Sequence, residues 1–381
     1  MKEEETYSNE ERLLDALESP EKLTPEEWEE LLADPQTARD LRLIGALREV
    51  FIRQHAELQP DTRREWAHFR QRQESRKRRR RALWTGVGIG VAASVLLFFG
   101  WQWNRPQETV ETPREVMVFA ADEGKREVTL STEKGQTWSV AAAATDTTFQ
   151  ETGIAVKEGK LDYAQVKAAP ETHTLSTPRC TDYYFVLEDG TEVWLNAESS
   201  LRYPNRFEGS RREVELQGEG FFKVARDTAR PFVVKAGGLV TEVLGTEFNV
   251  RTYKREDSHV TLLKGRVRVK EEGQAEGVII QPGEDARWRG DGTFEVKEVD
   301  TDNYYLWTEG YFYFDNEPLV EIARELGRWY NADVVFNNPD AMAYRLHFLA
   351  EREQSVEEVL GLLNLMGKVK ATFSNNKIVI E

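Results

Sequence analysis

The pattern of apolar and polar positions changes three times along the chain. Up to about residue 75 the apolar residues recur at helical spacing: Leu13, Leu14 and Leu17, then Trp28, Leu31 and Leu32, then Leu41, Ile44, Leu47, Val50 and Phe51. Ser8-Asn9-Glu10-Glu11 and Thr24-Pro25-Glu26-Glu27 have the form of capping boxes, and Asp34-Pro35 opens a further helix. The spacing predicts an all-α piece over 1–75. Residues 82–103 follow without a charge, a run of 22 between Arg81 and Arg105. Roughly 20 helical residues at about 1.5 Å each cross a hydrocarbon core, so the run predicts one transmembrane helix. Trp84, Trp101 and Trp103 stand at its ends, where interfacial aromatics belong. Within it, Gly86, Gly90 and Ser94 are candidate packing positions.

From Asn104 the period becomes two. Residues 104–114 read as a polar, proline-containing linker. Over 115–300, short alternating runs are separated by glycine turns at spacings of about ten residues, which predicts an all-β domain of stacked strands or a sandwich. Asp189-Gly190 is the strongest hairpin signal, and Glu133-Lys134-Gly135 a second. Glu213 to Leu216 and Phe221 to Val224 read as two strands. In 305–381 the pattern is strand, helix, strand, twice over. Leu319, Ile322, Ala323, Leu326 and Trp329 form one stripe behind Asp315-Asn316. Val356, Val359, Leu360 and Leu363 form another behind the capping box Ser355-Val356-Glu357-Glu358. This predicts a small α+β domain of βαβ-βαβ order with an exposed edge strand, a feature that docks other strands. The fold class expected is therefore a multi-domain membrane protein: helical bundle, single span, all-β domain, α+β domain.

Charge orients this arrangement. Arg76 to Arg81 is an unbroken basic run before the span, so the positive-inside rule places 1–75 in the cytoplasm and the rest outside. The chain carries a net charge of −16, and residues 1–50 hold 15 acidic against 6 basic side chains. That balance argues against direct nucleic-acid binding and favours a basic protein partner for the inner piece. A small bundle with a solvated acidic face is the competing reading. One cysteine, Cys180, leaves no internal disulfide, and the five scattered histidines lack metal-ligand spacing. Phosphate loops, nucleophile elbows and spaced catalytic sets are missing from the pattern. No enzyme activity, metal or cofactor is expected.

The stretches LEDGTEVWLNAESSLRYPNRF (187–207), REVELQGEGFFKVARDTARPFVV (212–234) and VTEVLGTEFNVRTY (240–253) closely resemble the periplasmic core of FecR-type anti-sigma factors. HTLSTPR (173–179), VTLLKGRVRV (260–269) and the QPGE turn at 281–284 resemble it too. The tail from Trp307 to Ile380 is similar to the C-terminal domain of Bacteroidetes-type members, itself similar to the short N-terminal module of secretins and TonB-dependent transducers. EEWEELLADPQTARDLRLIGAL resembles the family's sigma-binding part more loosely. Cys180 departs from the pattern, which has glycine after LSTPR.

The resemblance implies a single-pass inner-membrane anti-sigma factor. Its cytoplasmic piece would hold an extracytoplasmic-function sigma factor through Trp28, Leu31, Leu32, Leu41, Ile44 and Leu47. Its outer domains would receive a signal from the periplasmic domain of a TonB-dependent receptor, and a site-2-type intramembrane protease would release the inner piece. It also implies a candidate self-cleaving bond at Gly245-Thr246, broken by attack of the threonine hydroxyl on the preceding carbonyl. The alternative is an envelope scaffold or adaptor that binds no sigma factor.

Overall fold

The computed structural model describes residues 115–124, 127–140, 147–149, 154–157, 160–162 and 170–381, and 114–381 form one compact unit. The fold class expected above is corrected. The described residues form a mostly β-sheet protein with 24 strands and two α-helices, and no all-α bundle is shown. Among the described residues no helix is long and apolar enough to cross a membrane. The difference has a plain origin: the helical stripes of 1–75 and the uncharged run 82–103 lie outside the described residues, whereas the period-two pattern fills them.

The larger part is two sheets joined by one long strand, Arg212–Lys223. Its first half pairs with Ser199–Pro204 and, in parallel, with Phe232–Ala236; its second half pairs with Glu192–Leu195 and Glu247–Thr252. The sequence suggested two strands here. The chain instead stays extended and changes sheet at Gly218, whose φ is 92°. A Cβ at that position would lie 2.8 Å from the Ser199 backbone, so only glycine lets the strands approach.

The core lies between the sheets. Leu130, Leu175, Leu201 and Leu216 are consecutive cross-strand partners and form a buried ladder. Phe222, Phe232 and Phe248 pack beside it. Full burial of each such side chain contributes about 1.5–3 kcal/mol. The Asp189-Gly190 hairpin forms as expected, between Tyr183–Val186 and Glu192–Leu195. Asp189 does more than turn the chain, because it is ion-paired at 2.6 Å with the fully buried Arg212. That guanidinium also donates through Nε to the Arg230 carbonyl and through Nη1 to the Ala225 carbonyl, so its charge is matched while Nη2 is left without a partner.

The C-terminal part holds helices α1 (Leu319–Tyr330) and α2 (Val356–Leu365). Tyr311–Pro318 pairs with Arg345–Glu351, and Asp333–Phe336 runs parallel to Lys377–Ile380. The two halves of the internal repeat thus interleave: their first strands pair with each other, and the strand after α1 pairs with the last strand of the chain, while Ala371–Ser374, the extra strand directly after α2, lies beyond it at the sheet edge. Both apolar stripes point into one core. Ser355 and Glu358 form the expected capping box on α2. On α1 the expected cap at Asp315-Asn316 is displaced; the strand continues to Pro318 and the helix starts without a side-chain cap. Val116–Phe119 adds to the outer edge of Asp333–Phe336, so the first described strand covers one edge of this small sheet.

Candidate functional site

The distinctive chemistry of the described unit is a buried ionic seam between the β part and the C-terminal part. It is built on α1. That helix turns Leu319, Ile322, Ala323 and Leu326 to its own core and sets Glu325 and Arg328 one turn apart against the β strands. Glu325 is only 3 % exposed, yet it is surrounded by cations. Arg328 Nη1 donates to it at 2.7 Å, Arg251 Nη2 at 3.1 Å and Arg352 Nη2 at 3.3 Å. Arg251 comes from strand Glu247–Thr252, and Arg352 follows strand Arg345–Glu351.

A second carboxylate, Glu219, lies on the long strand just after its change of sheet. It accepts from Arg251 Nη1 at 2.7 Å, Asn196 Nδ2 at 2.9 Å and Asn249 Nδ2 at 3.0 Å. Asn196 bridges the two parts, since its side chain also donates to Glu325 and accepts from Arg352. A third, Glu198, accepts from Arg328 Nε at 3.2 Å and from both Nε and Nη2 of Arg179. Arg179 then reaches the Ala120 carbonyl and the Asn331 side chain. Two aromatic faces complete the packing: the Arg328 guanidinium lies 3.6 Å from the centre of the Tyr253 ring, and that of Arg352 lies 4.4 Å from that of Trp329.

Burial alone would push the Glu325 carboxyl up. The fields of Arg251, Arg328 and Arg352 outweigh it and hold the group down to about 2. Arg251 is likewise held charged: burial opposes its charge, and Glu219 and Glu325 more than restore it. Tyr253 is pushed up by burial and stays a neutral phenol. Asp182, beside Arg352, is raised by burial, with Arg352 opposing. The seam is thus a set of matched charges at neutral pH. Its groups are all held by one another, so it has the character of a fastening and presents no free acid, base or nucleophile. Among the described residues no cluster of histidine, cysteine, aspartate or glutamate could hold a metal ion.

The sequence did not point to this seam. Its charges come from segments far apart in the chain, and the one local sign was Glu325 and Arg328 flanking an apolar stripe three residues apart. Cys180 belongs to its rim. Its φ of 68° is the left-handed region that favours glycine, and its N–H donates to the Arg328 carbonyl at 3.4 Å. The departure noted in the sequence is therefore a cysteine in a glycine conformation.

Of the sequence-predicted site residues, Gly245 and Thr246 are described; Trp28, Leu31, Leu32, Leu41, Ile44, Leu47, Gly86, Gly90 and Ser94 lie outside the described residues. Gly245 has a φ of 155°, and a Cβ there would lie 2.9 Å from the Arg226 backbone. Thr246 is buried, and its hydroxyl donates to the Arg266 carbonyl at 3.1 Å. The pair borders a cavity of about 500 Å³ on the side of the β part.

Comparison with known proteins places this geometry. Residues 173–268 match the family described as FecR protein, and residues 311–380 match the one described as FecR, C-terminal. Two crystal structures of a proposed anti-sigma factor from Parabacteroides distasonis superpose with a TM-score of 0.50 at 28 % identity, covering 55 % of this chain and 98 % of that one. No curated protein matches. Every charged residue of the seam from Arg179 to Arg352 falls inside one matched region or the other. The chain thus carries, in order, one region similar to the FecR protein family and one similar to the FecR C-terminal family.

Proposed function

We propose that the chain is an anti-sigma factor, a regulator and not an enzyme. The two FecR-family matches and the likeness to the Parabacteroides distasonis protein support that role. In this reading residues 1–75 hold an extracytoplasmic-function sigma factor through the stripe Trp28, Leu31, Leu32, Leu41, Ile44 and Leu47. The acidic surroundings of that stripe complement the basic surface of a DNA-binding partner. The basic run 76–81 and the uncharged stretch 82–103 set the chain in the bacterial inner membrane, N-terminus inside and C-terminus outside. The outer unit receives the signal from the periplasmic domain of a TonB-dependent receptor. A site-2-type intramembrane protease acts at the stretch containing Gly86, Gly90 and Ser94, where small residues ease unwinding.

The observation that carries the reading is the Glu325-centred seam between the two FecR-family regions. A partner that binds the C-terminal part acts on a body fastened to the β part, so the disturbance is passed on and not lost in a loose joint. Capture with residues 1–75 tests the inner half of the proposal: a basic sigma factor should be retained, and less of it by Trp28→Ala with Leu32→Ala. Retention of no sigma factor would favour the scaffold reading.

A second reading, self-cleavage, concerns Gly245-Thr246: the Gly245 φ of 155° is one that other residues rarely adopt, and the Thr246 hydroxyl would leave its bond to the Arg266 carbonyl to attack. The Thr246 oxygen attacks the Gly245 carbonyl carbon, and the C–N bond breaks as the amide nitrogen takes up the hydroxyl proton. The product is an ester with a free Thr246 amine. Water then hydrolyses the ester to the Gly245 carboxylate and the Thr246 hydroxyl.

A further inference from the structure

The cavity beside Gly245-Thr246 is rich in arginine. Arg226, Arg266 and Arg268 line it, all exposed, and among the described residues none of the three is ion-paired. Glu242 is the one acidic residue that lines it. In a chain of net charge −16, three unmatched arginines around one hollow are a local reversal of sign. Leu244 and Ile279 line the same hollow, and they are 44 % and 52 % exposed.

The hollow is made by the backbone. Gly245 and Gly265 lie against each other in its wall: a Cβ on Gly265 would stand 2.9 Å from Thr246 Oγ1 and 3.2 Å from the Gly245 carbonyl oxygen. Glu242, Arg268 and Ile279 are consecutive cross-strand partners, so they lie in a row on one face of the sheet. The strand that carries Ile279, Val278–Ile280, ends that sheet, and among the described residues its outer edge carries no ladder. An open edge beside a positively charged, partly apolar face is a template for an added strand.

From this geometry we infer that the groove binds an extended acidic segment of a partner protein, one whose every second residue is in turn a carboxylate and an aliphatic side chain, so that both kinds fall on one face of the strand. Strand addition along Val278–Ile280 would supply backbone hydrogen bonds. Alternate side chains of the added strand share the face of Ile279 and Arg268, where the aliphatic ones cover Leu244 and Ile279 and the acidic ones meet the arginines. A small free anion fits less well, because the hollow is open to water and offers apolar walls that such an ion cannot use. The inference is independent of what residues 1–75 hold.

Fluorescence anisotropy tests it with the full chain in detergent and a short labelled peptide of repeated Glu-Thr-Val-Thr, which sets glutamate and valine in turn on one face of a strand. The peptide should bind at low ionic strength, weaken as salt is raised, and lose about tenfold or more in affinity on Arg226→Glu with Arg268→Glu. Ile279→Ser should weaken it as well, while Arg206→Glu, the same charge change at an exposed site away from the groove, should not. No binding by the unaltered chain would overturn the inference. So would equal binding of the Lys-Thr-Val-Thr counterpart, or affinity unchanged by the groove reversals. Preference for phosphatidylglycerol vesicles over the peptide, abolished by the same reversals, would assign the groove to a lipid surface and overturn it equally.

Discussion

Replacing Glu325 by glutamine removes one charge from the centre of the seam and keeps the shape of the side chain. Three guanidinium groups at 2.7, 3.1 and 3.3 Å lose their shared counter-ion. Two routes give the magnitude. A carboxyl held at about 2 instead of 4.5 corresponds to about 3 kcal/mol of stabilisation at neutral pH. Breaking a buried pair by removing one partner costs about 3–5 kcal/mol. The agreement sets the expectation at about 3 kcal/mol, or roughly 6–12 °C in Tm for a unit of this size. Thermal unfolding followed by tryptophan fluorescence suits the measurement, because Trp329 and Trp307 lie against Arg352 in the seam.

The control is on the same helix. Glu321 lies one turn earlier, is paired only with Arg324 and is partly exposed, so Glu321→Gln should cost about 0.5 kcal/mol or less. The pH dependence adds a second signature. The folded-state value of Glu325 is depressed, so its contribution is complete above the unfolded value near 4.5 and fades as pH falls toward about 2. Glu325→Gln should therefore flatten the loss of stability in that window. A loss below about 1 kcal/mol, or equal losses from Glu325→Gln and Glu321→Gln, would refute the account of the seam as a fastening.

Two other changes probe the remaining assignments. Cys180→Gly should leave stability unchanged or raise it by up to about 1 kcal/mol, because the left-handed φ of 68° strains any other residue, whereas β-branched Cys180→Val should lower it by about 1–2 kcal/mol; urea midpoints distinguish the two. Self-cleavage at Gly245-Thr246 predicts two fragments on denaturing gels from the unaltered chain and one band from Thr246→Ala; a single full-length band from both removes that reading.

What the sequence made legible is what depends on neighbours in the chain. The Asp189-Gly190 hairpin, the Ser355 capping box and the two apolar stripes of the C-terminal part are local patterns with local causes, and each forms where it was expected. The strand Arg212–Lys223 shows the limit. Gly218-Glu219-Gly220 looks like an interruption, because glycine weakens a strand interior; only the close pass of Ser199 explains why the chain runs straight through. The seam shows a deeper limit. Glu198, Glu219 and Glu325 sit among 67 acidic side chains, and no period distinguishes them. Arg251 meets Glu325 across 74 residues, and Arg352 meets Asn196 across 156. Such pairings are decided by topology, and in particular by the interleaved strands that bring Arg352 beside α1.

The chemical nature of the seam bears on how it can serve a relay. An apolar joint of the same area gains free energy from any close packing and tolerates sliding. A buried carboxylate shared by three arginines has one satisfactory arrangement, since each donor must find its acceptor once water is removed. The joint between the two family-matched parts is therefore specific in register, and a shift of α1 strands several charges at once. Glu325 and Arg328 face the β part while Leu319, Ile322 and Leu326 anchor the same helix in the C-terminal core. A partner that pulls on that core acts on the ionic face through a single rigid turn of helix. In such a device the joint is either closed with every charge matched or open with the charges returned to water, and intermediate positions are costly.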